Sequence, residues 1–109
     1  MTMARDVTRG SGNVFADLGF DDPDEEALKA QLSMRIRSLI AERSLTQAAA
    51  AKILGVAQPD VSAIVNGRVI GFSLERLFGF VRRLGDDIEI TIRHSRAKDL
   101  TGRMLVKLG

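Results

Sequence analysis

From Ser44 to Arg68 the chain reads Ser-Leu-Thr-Gln-Ala-Ala-Ala-Ala-Lys-Ile-Leu-Gly-Val-Ala-Gln-Pro-Asp-Val-Ser-Ala-Ile-Val-Asn-Gly-Arg, an order that constrains the fold more than any other stretch. Thr46 can cap a helix running to Leu54, and Gly55 supplies a left-handed turn residue that a β-branched side chain would resist. After Val56, Gln58-Pro59 opens a further helix that Asn66-Gly67 stops. The alanines at 48, 49, 50 and 51 let two helix backbones approach closely. Ala51, Gly55, Val56, Val61 and Ile64 are the small and apolar residues that a tight crossing needs. With that inner face fixed, Gln58, Pro59, Asp60, Ser62 and Ala63 fall on or beside the outer face of the later helix. Such a helix, presenting its first turn outward, suits a DNA major groove.

The flanking sequence supplies the rest of a helical bundle. Asp22-Pro23-Asp24-Glu25 places an N-cap acid, a proline at the first helical position and a capping-box glutamate, with the extra carboxylates favoured by the helix dipole. Leu28, Leu32, Ile36, Leu39 and Ile40 then recur at helical spacing toward a core, with Lys29, Arg35, Arg37 and Glu42 mostly outward, and the helix should end near Arg43. A fourth helix is capped by Ser73, shows Leu74, Leu77, Phe78, Val81 and Leu84 on one face, and is stopped by Gly85.

At Asp87 the period changes, because Ile88, Ile90 and Ile92 alternate with Glu89, Thr91 and Arg93. Residues 87–93 therefore predict a half-buried strand. One strand cannot stand alone, so it pairs with the 13–20 segment, whose Val14, Phe15, Leu18 and Phe20 form a strap or short strand, or with its equivalent in a second subunit. A homodimer is the expectation. Residues 1–12, with Gly10, Ser11 and Gly12, read as a disordered arm ahead of a domain spanning 13–93. Residues 94–109 form a tail with Leu100, Met104, Leu105 and Leu108 at helix-like intervals, free to move or to dock on a partner.

A chain of 109 residues, 45% hydrophobic, has room for one small core. It has no cysteine and a single histidine, His94, so disulfides, thiolate metal sites and histidine-based catalysis are not expected. No cofactor is expected. No glycine elbow, phosphate loop or clustered carboxylate pair points to an enzyme. The absence of cysteine suits a cytoplasmic setting, and neither a signal peptide nor a membrane span is evident. The net charge of +2 conceals an asymmetry: residues 1–26 hold two Arg against seven acids, and residues 27–109 hold fourteen Lys and Arg against seven acids. An acidic arm thus precedes a basic body suited to polyanions.

Within the motif, Gln58 is the strongest candidate for reading a base, since an amide can donate to and accept from adenine together. Pro59, Asp60, Ser62 and Ala63 share its face, while Gln47, Lys52, Asn66 and Arg68 stand where they could hold phosphates. Singly, these residues have plainer uses, as helix-end decoration, a dipole partner at Asp60 or a C-cap at Asn66. Their common register with the Gly55 turn favours the joint reading.

The pattern Leu-Thr-Gln, three residues, Ala, two residues, Leu-Gly-Val, then Val-Ser and Asn-Gly, carried by Leu45 through Gly67, resembles the Cro and phage-repressor (Xre-type) helix-turn-helix family. The resemblance implies a mainly α, lambda-repressor-like bundle of four to five helices, here with a C-terminal β-strand. Gly12-Asn-Val-Phe-Ala-Asp-Leu-Gly19, the start of the first helix and Phe72-Ser-Leu-Glu-Arg-Leu77 further resemble a HigA-like antitoxin branch, so the likeness spans about residues 12–93. That branch implies a dimer that represses its own operon at an inverted repeat in double-stranded DNA and neutralises a small RNA-cleaving toxin of the RelE/HigB type. Two departures stand out. Ala57 occupies a position where the family often has a capping Ser or Thr, and no Lys or Arg lies between Val56 and Gly67. A stand-alone repressor and a protein-interaction adaptor that no longer binds DNA are the competing readings. The acidic arm is the first place to expect toxin contact.

Overall fold

The computed structural model describes residues 22–95 and 102–108. The expected disordered arm at 1–12 and the strap at 13–20 lie outside these residues. Four helices are present among the described residues: α1 (Pro23–Glu42), α2 (Gln47–Leu54), α3 (Gln58–Val65) and α4 (Leu74–Arg83). None is long and apolar enough to cross a membrane by itself.

The helix boundaries follow local capping chemistry. The Asp22 carboxylate accepts from the Asp24 and Glu25 backbone N–H groups at 3.1 and 3.2 Å, with Pro23 opening α1. Glu25 turns instead toward Lys29, 3.6 Å away, one helical turn on. Thr46 and Ser73 cap α2 and α4 by accepting from the N–H groups of Ala49 and Arg76.

The core lies where α1 meets α3 and α4 and where α2 meets α3 and α4. The expected α1 stripe of Leu28, Leu32, Ile36, Leu39 and Ile40 is buried, joined by Ala50, Ala51, Leu54, Val61 and Ile64 from the motif. Ser33 is the one buried polar residue among the described ones, and its hydroxyl donates to the Ile64 carbonyl at 2.6 Å, fastening α1 to the last turn of α3. On α4 the buried residues are Leu77, Phe80 and Val81, with Leu84 just beyond, whereas Leu74 and Phe78 are only half-buried. Phe80 displaces them because it meets Phe72 edge-to-face, centroids 6.1 Å apart. The Arg76 guanidinium lies over both rings, at 5.0 and 5.4 Å.

Two expectations need revision at the C-terminal side. The strand expected at 87–93 is not formed within the single chain: these residues carry no regular secondary structure, and Ile90 and Ile92 are 71% and 93% exposed. Ile88 packs against the core instead. The helical spacing in the tail is not realised at 102–108 either. There the Met104 N–H donates to Asp24 Oδ2 at 3.0 Å and Val106 packs on the core, so contact with α1 holds the segment and leaves Leu105 and Leu108 outward.

Arg35, expected to face outward, is partly buried. Its Nε and Nη2 donate to the two oxygens of Asp86 at 2.6 and 3.0 Å, and Nη1 reaches Glu42 at 3.3 Å. This bidentate pair pins the end of the α4 turn to the middle of α1. Hydrogen bonding from Arg35 holds the Asp86 carboxyl below the usual carboxylate range, against a smaller opposing effect of burial. A carboxyl more acidic in the folded than in the unfolded chain stabilises the fold above its unfolded pKa, and that stability fades as pH falls through the folded value. Asp86→Asn is therefore expected to lower the melting temperature at neutral pH and to differ little from the parent in acid below the carboxylate range. Thermal melts across pH check this; a gap that does not narrow on acidification contradicts it.

Candidate nucleic-acid interface

The interface is built from the passage between α2 and α3, whose axes turn through 105° at the break between them. Gly55 makes the turn possible. It adopts φ +71° and ψ 34°, and its N–H donates to the Ala51 carbonyl at 2.8 Å. Val56 N–H reaches the same carbonyl at 3.1 Å, closing the end of α2. Ala50 and Ala51 are buried beneath the crossing, where longer side chains would push the helices apart. Arg83 braces the turn from α4, its Nη1 donating to the Ile53 carbonyl at 3.4 Å.

This geometry leaves the first turn of α3 outward. Gln58 and Pro59 are exposed, Asp60 and Ser62 are half-buried, and Ala63 is half-buried against the core. Of the five residues expected on the base-reading face, Gln58 and Pro59 project most freely, while only an edge of Ala63 remains outside. No side chain caps α3, because Ala57 stands at the cap and has no hydroxyl. The local closure is backbone alone, Asp60 N–H to the Ala57 carbonyl at 2.9 Å. An uncapped helix start carries outward N–H groups and the positive end of the helix dipole.

The candidate phosphate-holding residues divide into two sets. Gln47 is half-buried at the start of α2, Lys52 is exposed in its last turn, and Arg68 is exposed just after α3. None of the side chains of Gln47, Lys52, Gln58 and Arg68 has a hydrogen-bond or ion-pair partner among the described residues. Asn66 differs: its amide donates to the Ser62 carbonyl at 2.8 Å and approaches the Ser62 hydroxyl at 3.5 Å. Its donor group is thus engaged in closing α3, and it ties down Ser62 as well. Arg83 and Ser33, which hold the motif from outside it, were not evident from the motif's sequence. Ser33 could have been found from its place on the Lys29, Ile36 and Ile40 side of α1, but Arg83 carries no comparable local signal. Among the described residues no three His, Asp or Glu side chains gather as a metal site.

A family model described as a helix-turn-helix domain matches residues 14–93. The chain belongs to that family. A solved structure provisionally described as an XRE family transcriptional regulator is 37% identical and superposes with a TM-score of 0.73, the match covering 82% of this chain and 100% of that one. The helix-turn-helix is thus of XRE type, and its family and fold are those of DNA-binding transcriptional regulators rather than enzymes. A Mycobacterium tuberculosis protein provisionally named antitoxin HigA2 is 36% identical over 61 residues, or 56% of this chain. The matched part spans 60% of that relative's length.

In this helix-turn-helix, Gly55 is a conformational requirement more than a steric one. A Cβ there would meet Arg83 Nη1 at 3.7 Å, an ordinary contact, so a substitution is penalised mainly through φ. Gly55→Ala should cost about 1–2 kcal/mol, the usual penalty for a left-handed alanine. Urea denaturation measures it, and an unchanged midpoint would show that the turn can relax.

Proposed function

We propose that this chain is a dimeric, sequence-specific DNA-binding antitoxin of a type II toxin-antitoxin pair, acting in the cytoplasm. It represses its own operon and neutralises a small RNA-cleaving toxin of the RelE/HigB type. The observation that carries the DNA half is the outward, uncapped first turn of α3, with Gln58 exposed beyond a 105° turn. The likeness to the protein named antitoxin HigA2 supports the toxin half.

In this reading Gln58 reads a base edge, with Pro59, Asp60 and the accessible edges of Ser62 and Ala63 shaping the contact. Asp60 would accept from a cytosine amino group, the base-edge donor that suits a carboxylate. Arg68, Gln47 and Lys52 hold phosphates, as does the backbone at the start of α3, and Asn66 contributes chiefly by closing the helix. Because α3 contains no Lys or Arg, charge attraction comes from its surroundings and base discrimination from neutral groups. A dimer presents two such helices about one DNA turn, roughly 34 Å, apart, and so selects a short inverted repeat.

The acidic N-terminal region is the proposed toxin contact, since a toxin that handles RNA carries a surface attractive to polyanions. Asp22 caps α1 and Asp24 receives the tail, so the arm should be truncated no further than residue 21 if the cap is to survive. Removal of residues 1–21 is expected to weaken toxin binding more than operator binding; the reverse order would reject the assignment.

The roles within the motif separate in DNA titrations. Gln58→Ala should reduce discrimination between the operator and a base-substituted site by about 1–3 kcal/mol. Arg68→Ala should instead weaken binding to all sequences and reduce the salt slope by about one. Equal operator binding by Gln58→Ala and its parent at fixed salt would remove Gln58 from the reading role. Affinity purification from the native host tests the partner: a stoichiometric small basic protein supports the antitoxin, and the chain recovered alone favours a stand-alone XRE-type repressor. That second reading is favoured by the descriptive name of the superposed regulator.

A further inference from the structure

Seven large hydrophobic residues are exposed: Met34, Ile70, Ile90, Ile92, Met104, Leu105 and Leu108. All but Ile70 belong to α1 or to the two C-terminal segments. Met34 and Leu108 line a cleft between α1 and α4 together with Arg35, Phe78, Ile88 and Glu89, and the chain continues from that cleft into Ile90 and Ile92. The backbone of 87–93 has no hydrogen-bond partner among the described residues. An alternating sequence with unpaired backbone groups and bare isoleucines is a strand lacking its neighbour.

We propose that the neighbour is the same segment of a second copy, paired antiparallel about a two-fold axis at Thr91. Each Glu89 then lies opposite the partner's Arg93, and each Ile90 opposite the partner's Ile92. This interface rests on the dimeric reading above and gives it a contact surface.

The register follows by elimination. Side chains opposite each other in a ladder share a face, so the two-fold must pass through a residue; otherwise isoleucines would face Glu, Thr or Arg. Centring on Glu89 sets two like charges against each other, which is unfavourable. Centring on Ile90 sets Ile88 against the partner's Ile92, but Ile88 is already packed on its own core. Centring on Ile92 spends Ile90 on the partner's His94. Only the Thr91 axis covers the two isoleucines that are 71% and 93% exposed with each other while joining Glu89 to an opposite charge. The surface is thus complementary to itself in both charge and hydropathy, as an isologous contact requires.

The full chain is the test object. Light scattering should show a dimer, and Ile90→Glu with Ile92→Glu should give a monomer whose helical circular dichroism is unchanged. Because the chain has no cysteine, single replacements report the axis. On mild oxidation Thr91→Cys should form the intermolecular disulfide at least about tenfold faster than Ile90→Cys or Ile92→Cys, since only a residue on the axis lies directly opposite itself. Glu89→Arg and Arg93→Glu should each weaken the dimer and together restore it. A parent chain that is monomeric at tens of micromolar overturns both the ladder and the dimeric reading. A dimer that survives the paired glutamate substitutions overturns the ladder alone, and fastest cross-linking at position 90 or 92 overturns this register.

Discussion

The right-angled passage from α2 to α3 depends on close packing of small side chains beneath it. Ala50 and Ala51 are buried where the two helices cross, Val61 and Ile64 fill the opposite side, and Ile36 of α1 closes the space from below. Two short helices of eight residues each have little stability of their own, so their angle is a tertiary property. The twenty-residue α1 is the platform on which that angle is set. Ser33 joins α1 to α3 by a hydrogen bond, and Arg83 returns from α4 to the end of α2. The exposed first turn of α3 is therefore held from three directions by residues that need not touch a ligand.

Legibility in the sequence followed the range of the interactions. Caps act over three or four residues, and Asp22-Pro23, Thr46, Gly55 and Ser73 marked real helix ends. The α1 stripe was equally plain because its period is local. The Arg35–Asp86 pair joins positions 51 residues apart, and nothing near either residue announces the other. Phe80 was passed over in favour of Phe78 because the deciding neighbour, Phe72, comes from the preceding loop.

The candidate site was legible to a similar depth. Spacing placed Gln58 and Pro59 on the outer face, where they stand, but could not show that the Asn66 amide is used within α3 or that Ala63 leans on the core. The C-terminal region separates the two kinds of information most clearly. Alternation of isoleucines expresses a preference for a ladder, yet a ladder also needs a second strand, and the single chain supplies none among the described residues. In the tail, docking of Val106 and the hydrogen bond from Met104 to Asp24 outweigh apolar spacing that resembles a helix.

The division of labour on α3 bears on how this protein can change over generations. Val61 and Ile64 face inward and are fully buried, whereas Gln58 and Pro59 face outward with almost no structural duty. Substitutions at the outer pair can alter what the helix recognises with little effect on folding, and substitutions at the inner pair disturb folding before they alter recognition. A lineage carrying this arrangement is free to drift toward new operators through a few exposed positions, and copies diverging within one genome can become insulated from each other's targets while sharing one scaffold.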